Sequence, residues 1–340
     1  MQTSEKNMRR FFSGVMIFRL PLLLILLFFT FTCDAPRDNP LDPGSKYFTE
    51  QAKTTVLVKH LAETNPTGIA NARVTLLNLG VSGQTDATGT ITFSHPDADS
   101  LIVYTTATGY FGDTTVVHNP TKNSSVTIRL NARPRITSTK FISIYQANQY
   151  LPGGDVVSAS IQAFIEDIDG LEDIECVELG NTKYNFLDTL SLTNPMSGEF
   201  SLKFQIQEID STILPGVLPE LNFQLIVKNL SGDSIVSDGL VVRRVINQAV
   251  GMISPQEGEA VQDSVVFRWE KAELDFPFVY NLHYTLVQTS EQFAINDIPS
   301  DQTSVVVKNL QPGSYLWQVQ IVDRLGNLSE SSIVLFRYVQ

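Results

Sequence analysis

The chain has 340 residues, 43% apolar and 18% charged, with 20 Gly and 16 Pro and a mean hydropathy near zero, which fits neither a disordered chain nor a polytopic membrane protein. At about 100–150 residues per domain the length allows two or three domains, each able to bury its own core. Twenty-four basic against 36 acidic residues leave a net charge of −12. That balance argues against nucleic acid as a partner, because gripping a phosphate backbone requires a basic face. The two cysteines, Cys33 and Cys176, are too few for a disulfide framework.

Residues 1–32 read as an address and not as part of a fold. Lys6, Arg9 and Arg10 precede an apolar stretch that pauses at Arg19 and runs through the 12 residues from Leu20 to Phe31. A positive segment followed by an apolar core is the pattern of a secretory signal, and the core is shorter than the roughly 20 residues of a spanning helix. Cys33 follows Thr30-Phe31-Thr32 directly and precedes Asp34, Pro36 and a polar stretch. This arrangement resembles a bacterial lipoprotein signal, with Thr32 and Thr30 where that family usually has a small residue and Leu. The segment Arg37-Asp38-Asn39-Pro40-Leu41-Asp42-Pro43 is similar to the RDNPxDP stretch that follows the acylated cysteine in many bacterial envelope lipoproteins. The resemblance implies cleavage before Cys33 and lipidation of its thiol, and several acyl chains make a stable anchor. Loss of residues 1–32 removes Lys6, Arg9, Arg10, Arg19 and Glu5, leaving 20 basic and 35 acidic residues and a net charge of −15. Residues 33–50, rich in Pro and lacking apolar periodicity, read as a tether.

The rest of the chain carries strand patterns throughout and predicts an all-β fold of three tandem sandwiches, over 51–132, 133–247 and 248–340. In the first, short β-branched runs at Thr54–His60, Ala72–Asn78, Thr90–Ser94, Ser100–Thr106, Thr114–His118 and Ser124–Leu130 are separated by turn residues. Val74 and Leu76, and Val126, Ile128 and Leu130, alternate with polar neighbours at a period of two. The stretch Thr85-Asp86-Ala87-Thr88-Gly89-Thr90-Ile91-Thr92-Phe93, with the later Gly109-Tyr110, resembles the carboxypeptidase regulatory-like or transthyretin-like sandwich, in which such a turn joins two strands. Asp86 and Gly89 suit a structural turn: Asp can accept from the turn amides and Gly tolerates positive φ.

In the second segment, Val157, Ala159, Ile161, Ala163 and Ile165 mark one long alternating strand; Leu202, Phe204 and Ile206, and Phe223, Leu225 and Val227, repeat the pattern. About seven strands suggest an immunoglobulin-like sandwich. Cys176, alternating with Ile174 against Glu175 and Val177, is expected to be a buried structural thiol. The turn Asp167-Ile168-Asp169-Gly170-Leu171-Glu172-Asp173 is rich in hard oxygen donors, and Asp167, Asp169 and Asp173 are candidate calcium ligands. Its spacing is not that of an EF-hand, since position 5 is Leu171 and Gly170 falls at position 4. A solvated β-turn is the default and weak interdomain Ca²⁺ binding the alternative.

In the third segment, Ser254-Pro255-Gln256-Glu257-Gly258, Val265-Val266-Phe267-Arg268-Trp269, Leu310-Gln311-Pro312-Gly313-Ser314-Tyr315, Asp323-Arg324-Leu325-Gly326-Asn327 and Ile333–Phe336 resemble a fibronectin type III domain. The resemblance implies a core Trp269 and inward-facing Tyr315 and Trp317. Tyr315 stands five residues after Leu310 where that family has six, so the family's usual corner hydrogen bond is not assigned to it.

The chemistry-bearing residues are scattered. His60, His95, His118 and His283 have no zinc-ligand spacing, and the sequence contains no HExxH, GxSxG, GxGxxG or P-loop. Three sandwiches use up the mature chain, leaving no stretch for a catalytic domain, and no catalytic residue or cofactor is assigned. Tyr47, Tyr104, Tyr110, Phe111, Tyr145, Tyr150 and Tyr280 could stack on sugars if exposed. The sequence therefore predicts a non-catalytic, lipid-anchored envelope protein at the outer membrane or cell surface, with a membrane and a protein as partners. A surface glycan-binding accessory lipoprotein is the alternative.

Overall fold

The computed structural model describes residues 45, 51–62, 67–147 and 154–339; Cys33, the leader, Tyr47 and Tyr150 lie outside them. The described chain is nearly all β, with one four-residue helix, α1 (Ile206–Ile209), and short 3-10 turns. Its buried apolar residues form three separate clusters, one per segment.

The first cluster lies between two sheets built from β1 (Ala52–His60), β2 (Arg73–Leu76), β3 (Val81–Gln84), β4 (Thr90–His95), β5 (Ser100–Thr106), β6 (Asp113–His118) and β7 (Asn123–Leu130). The order β4-β1-β7 faces β3-β2-β5-β6, and every pairing is antiparallel except β1 with β7. Val74, Leu76, Ile128 and Leu130 point inward. The turn before β4 is structural. Asp86 Oδ1 accepts from the amides of Thr88 (2.8 Å) and Thr90 (3.0 Å) and from the Thr88 hydroxyl (2.7 Å), and these bonds, the Thr88 hydroxyl foremost, hold its carboxyl below the usual range. Gly89 has φ +78°, and a Cβ there would meet Gly68 Cα and the Val58 carbonyl oxygen at 2.6 Å, so only glycine fits.

The second sandwich contains β8 (Arg135–Gln146), β9 (Val156–Glu166), β10 (Ile174–Asn181), β11 (Phe186–Asn194), β12 (Glu199–Gln205), β13 (Gln224–Asn229) and β14 (Ser234–Val236). They form one hydrogen-bonded path, β14-β13-β10-β11-β12-β9-β8. Strand β11 makes this possible: residues 186–190 pair with β10 and residues 191–194 with β12, so one strand crosses between the two packed sheets. Val157, Ala159, Ile161, Ala163 and Ile165 of β9 are all buried against Phe204, Phe223 and Leu225. The alternation in β12 ends at Gln205, where a reciprocal Gln205–Glu208 capping box opens α1.

Cys176 departs from expectation. A bulge in the β10–β13 pairing between Ile174 and Cys176 shifts the register, so that Val177, Leu179 and Asn181 face the core and the thiol is only half-buried. An extra residue in a strand reverses which parity points inward. Partial burial, followed by the carboxylate of Glu178, still pushes the thiol pKa up, away from nucleophilic character.

The third sandwich contains β15 (Met252–Ser254), β16 (Ala260–Val261), β17 (Ser264–Trp269), β18 (Phe278–Leu286), β19 (Glu291–Pro299), β20 (Ser304–Lys308), β21 (Gly313–Asp323), β22 (Leu328–Glu330) and β23 (Val334–Tyr338). Sheet β15-β17-β20 packs on β19-β18-β21-β23, the three-against-four division of a fibronectin type III-like sandwich. Val265, Phe267, Trp269, Tyr315, Trp317, Val319 and Ile321 all point inward. Tyr315 does make a corner bond: its hydroxyl donates to the Gln311 carbonyl at 2.9 Å. The shorter spacing moves the acceptor along the turn without abolishing the bond.

Strand β21 is shared. Its first half pairs with β23 and its second with β22, and β22 pairs in parallel with β8, placing Leu328, Ser329 and Glu330 opposite Ile144, Tyr145 and Gln146. One sheet thus runs from the second sandwich into the third.

Candidate functional site

The acidic turn between β9 and β10 sits at the junction of the first two sandwiches. Asp169 is buried, its Oδ1 accepting from the Ala62 amide (3.0 Å) and its Oδ2 from the Ala132 amide (2.6 Å). Ala62 follows β1 and Ala132 follows β7, so one carboxylate from the second sandwich caps two neighbouring strand ends of the first. Bonds of this kind, with an ionised acceptor, are roughly twice as strong as neutral ones. The junction is reinforced by Asn131 Nδ2 donating to Ser231 Oγ (3.0 Å), by the Arg133 amide donating to the Gly109 carbonyl (2.8 Å), and by the Arg133 guanidinium lying 4.9 Å from the Phe111 ring centre.

The other two acids are less well served. Asp167 Oδ1 accepts from the Asp169 amide (2.8 Å), but its Oδ2 is buried without a partner. Asp173 is buried with its Oδ2 also unpartnered. Asn131, beside Asp173, has a buried Oδ1 without a partner. Burial, with added repulsion from Asp169 and Asp173, pushes the Asp167 carboxyl up to about 6 against the favourable Asp169 amide bond. Burial raises Asp173 too, with Asn131 opposing the shift and Asp169 and Glu172 adding to it. Among the described residues no group of three or more His, Cys, Asp or Glu side chains is placed to hold a metal ion.

The folded carboxyl of Asp167 binds its proton more tightly than the unfolded one, so its contribution to stability is present below the unfolded value of about 4 and is lost as pH rises towards 6. Asp167→Asn, measured in chelator, is expected to raise the thermal midpoint at pH 7.5 and to do so much less at pH 4. An equal change at both pH values would contradict burial of the carboxylate as the cause.

The remaining candidate residues are dispersed. His60 Nδ1 bonds the Tyr110 hydroxyl (2.9 Å), buried His95 sits between Thr54 Oγ1 (2.9 Å) and the Pro96 carbonyl (2.7 Å), His118 is exposed, and His283 bonds Gln320 (3.1 Å). Tyr280 is fully buried and cannot serve as a sugar platform; its hydroxyl accepts from the Ala272 amide (2.8 Å). Tyr145 is tied by its hydroxyl to Asp155, and burial together with that bond pushes its phenol up to about 12. Tyr110 and Phe111 pack into the junction, while Tyr104 is exposed on β5.

Sequence reasoning missed the junction between the second and third sandwiches. Asp323, its side chain fully buried, accepts from Arg244 Nη1 (2.9 Å) and Asn327 Nδ2 (3.0 Å) through Oδ2, and from the Leu325 (2.8 Å) and Asn327 (2.9 Å) amides through Oδ1. Asn327 Oδ1 in turn accepts from the Ser143 amide of β8 (3.0 Å), and Ser143 Oγ donates to the Arg244 carbonyl (2.8 Å).

No family model matches the chain, and no curated protein does. Among solved structures it is similar to BcpA, the major pilin subunit of Bacillus cereus, at 9% identity and a TM-score of 0.28, covering 85% of this chain and 96% of that one. It is also similar to the FN1–FN3 domains of chicken CNTN1, at 12% identity and 0.32, covering 80% and 92%. The fibronectin(III)-like modules of Clostridium thermocellum CbhA follow at 13% and 0.27, covering 60% and 92%. The fold assignment rests on the strand pairings above, and nothing about function is taken from these likenesses.

Proposed function

We propose that this chain is a non-catalytic, lipid-anchored protein of a bacterial cell envelope, held at the outer membrane or cell surface through Cys33, whose successive β-sandwiches act as a spacer and as a docking module for protein partners. The observation that carries this reading is the way the sandwiches are joined. Both junctions use buried or half-buried polar side chains and direct backbone bonds, at Asp169 and at the Asp323–Asn327–Ser143 chain, where a flexible linker would leave neighbouring domains free to move. Coupled domains hold a distal surface at a set position relative to an anchor. The leader and Cys33 supply the anchor in this reading, and strands such as β20 and β14, which end their sheets among the described residues, supply edges that a partner strand could extend.

The test starts at the anchor. Wild-type protein is expected to take up an acyl label and sediment with membranes, and Cys33→Ser to do neither. A variant that stays membrane-bound, with no label on the wild type, overturns the anchor. Mild crosslinking of the detergent-solubilised protein is expected to give a discrete protein complex; retention on an insoluble polysaccharide with no such complex overturns the docking role in favour of glycan binding.

A further inference from the structure

We propose that β20, at the edge of the third sandwich, is a docking strand for a second copy of this chain, the two copies pairing their β20 strands antiparallel about a two-fold axis at Val306. This rests on the docking reading above and names its partner. Among the described residues β20 ends the sheet β15-β17-β20. Its backbone phase is fixed by the Thr303 carbonyl, which accepts from the Trp269 amide at 3.1 Å. Antiparallel ladders alternate, so Thr303, Val305 and Val307 turn their backbone groups to β17, while Ser304, Val306 and Lys308 turn theirs to the open side. The Ser304 carbonyl agrees with that phase, since it accepts from the exposed side chain of Gln302 (Nε2 to O, 3.0 Å).

The register selects the occupant. With Val306 opposite Val306 of a second copy, Ser304 falls opposite Lys308 and Val305 opposite Val307, so every residue whose amide and carbonyl point outward meets another of the same kind. No like charges face each other, because Lys308 stands across from Ser304; a register that set Lys308 against itself would pair only the ends of the strands. The side chains match as well. Val305 and Val307 are half-buried at the rim of the third core and Val306 is 55% exposed beside Val266, and a second β20 covers the open flank of all three with valine. Other edges are guarded where β20 is not. Strand β14 has three residues, and β19 is broken by a bulge, holds Asp297 at φ +57° and ends in Pro299. Strand β20 runs for five residues with successive valines, no proline and no register shift.

The experiment uses the detergent-solubilised full chain. Light scattering after size exclusion is expected to show a monomer–dimer equilibrium with Kd of about 10⁻⁵–10⁻⁴ M, as suits an interface below about 1,200 Å². Val306→Lys, at an exposed position, sets two ammonium groups against each other and should weaken dimerisation about tenfold while leaving the melting midpoint of the monomer unchanged. Val306→Pro removes an amide that points outward and should weaken it similarly. The register is read by Val306→Cys. The two-fold axis places its thiol against its own copy with Cα atoms about 5.5 Å apart, within reach of a disulfide, so mild oxidation should link it into a dimer. Wild type and Val116→Cys, on β6 of the first sandwich, should not be linked. A chain that stays monomeric up to about 0.5 mM overturns the self-pairing, as does a dimer that both Val306→Lys and Val306→Pro leave intact. Crosslinking to a different protein, with this chain still monomeric, overturns it too and leaves the docking role standing.

Discussion

Asp323→Ala is expected to destabilise the third sandwich by about 3 kcal/mol and to uncouple its melting from that of the second. The carboxylate has four partners and no access to water: the Arg244 guanidinium, the Asn327 side-chain amide and two turn amides. Removing it strands all four. Arg244 is about a third exposed and packs its guanidinium over Phe276 at 3.9 Å, so its charge can partly recover water and the ion pair alone counts for little. The larger share of the loss comes from the turn. Asn327 is held by Asp323 through both its backbone and side chain, and it is Asn327 that accepts the Ser143 amide across the junction. The side-chain series separates these parts. Asp323→Asn keeps acceptors for one or two amides and should cost less than Asp323→Ala, and Arg244→Met, which retains the contact with Phe276, should cost about 1 kcal/mol or less. In differential calorimetry of the full chain, the alanine variant is expected to move one transition down by more than about 10 °C while the rest holds. A shift below about 2 °C would mean that the network contributes no net stability and that the parallel β8–β22 pairing carries the junction.

The alternation of apolar and polar residues was enough to orient most of the strands. Val157 to Ile165, Phe223 to Val227, Val265 to Trp269 and Tyr315 to Ile321 all face inward at a period of two, because a half-buried strand has no other way to separate its two faces. The same rule failed at Cys176, where a bulge inserts a residue; nothing local in Ile174-Glu175-Cys176 announces it, since its cause is the register of β13, some 50 residues away. The corner bond of Tyr315 escaped a spacing argument for a similar reason, because the backbone of a turn can bring a different carbonyl to the same hydroxyl.

The candidate site was legible only on one side. The acids of 167–173 stand together in the sequence, and their oxygen-rich pattern is visible there. Their counterparts are not: Ala62, Asn131 and Ala132 have no composition that marks them as partners, and Asn131 meets the turn only because β1 and β7 end side by side. Asp323 and Asn327 were visible as part of a family-like turn, but their partners Ser143 and Arg244 come from another domain. Polar contacts across domains depend on how the folded units meet, which periodicity within a segment does not encode.

Trp317→Ala is expected to cost about 3–5 kcal/mol, the range for removing a fully buried large aromatic. Trp317 is 1% exposed at the centre of β21, its ring centroid 5.0 Å from that of Phe267, and its Nε1 donates to the Pro255 carbonyl at 3.1 Å. The cavity cannot be refilled easily. Phe267 is also packed edge-on against Phe336, which stacks on Tyr315, so a ring that moved to fill the space would forfeit contacts of its own. Trp317→Phe divides the effect: it keeps most of the apolar body but leaves the Pro255 carbonyl without its donor, and about 1–2 kcal/mol is expected. Chemical denaturation of the two variants measures this directly. Similar losses for Phe and Ala would show that the hydrogen bond, and not the packed volume, fixes β21 against the turn that follows β15. The site of the loss matters as much as its size. Because β21 also pairs with β22, and β22 with β8, weakening β21 should lower the melting of the second sandwich as well while leaving the first, whose described strands pair with neither, where it was.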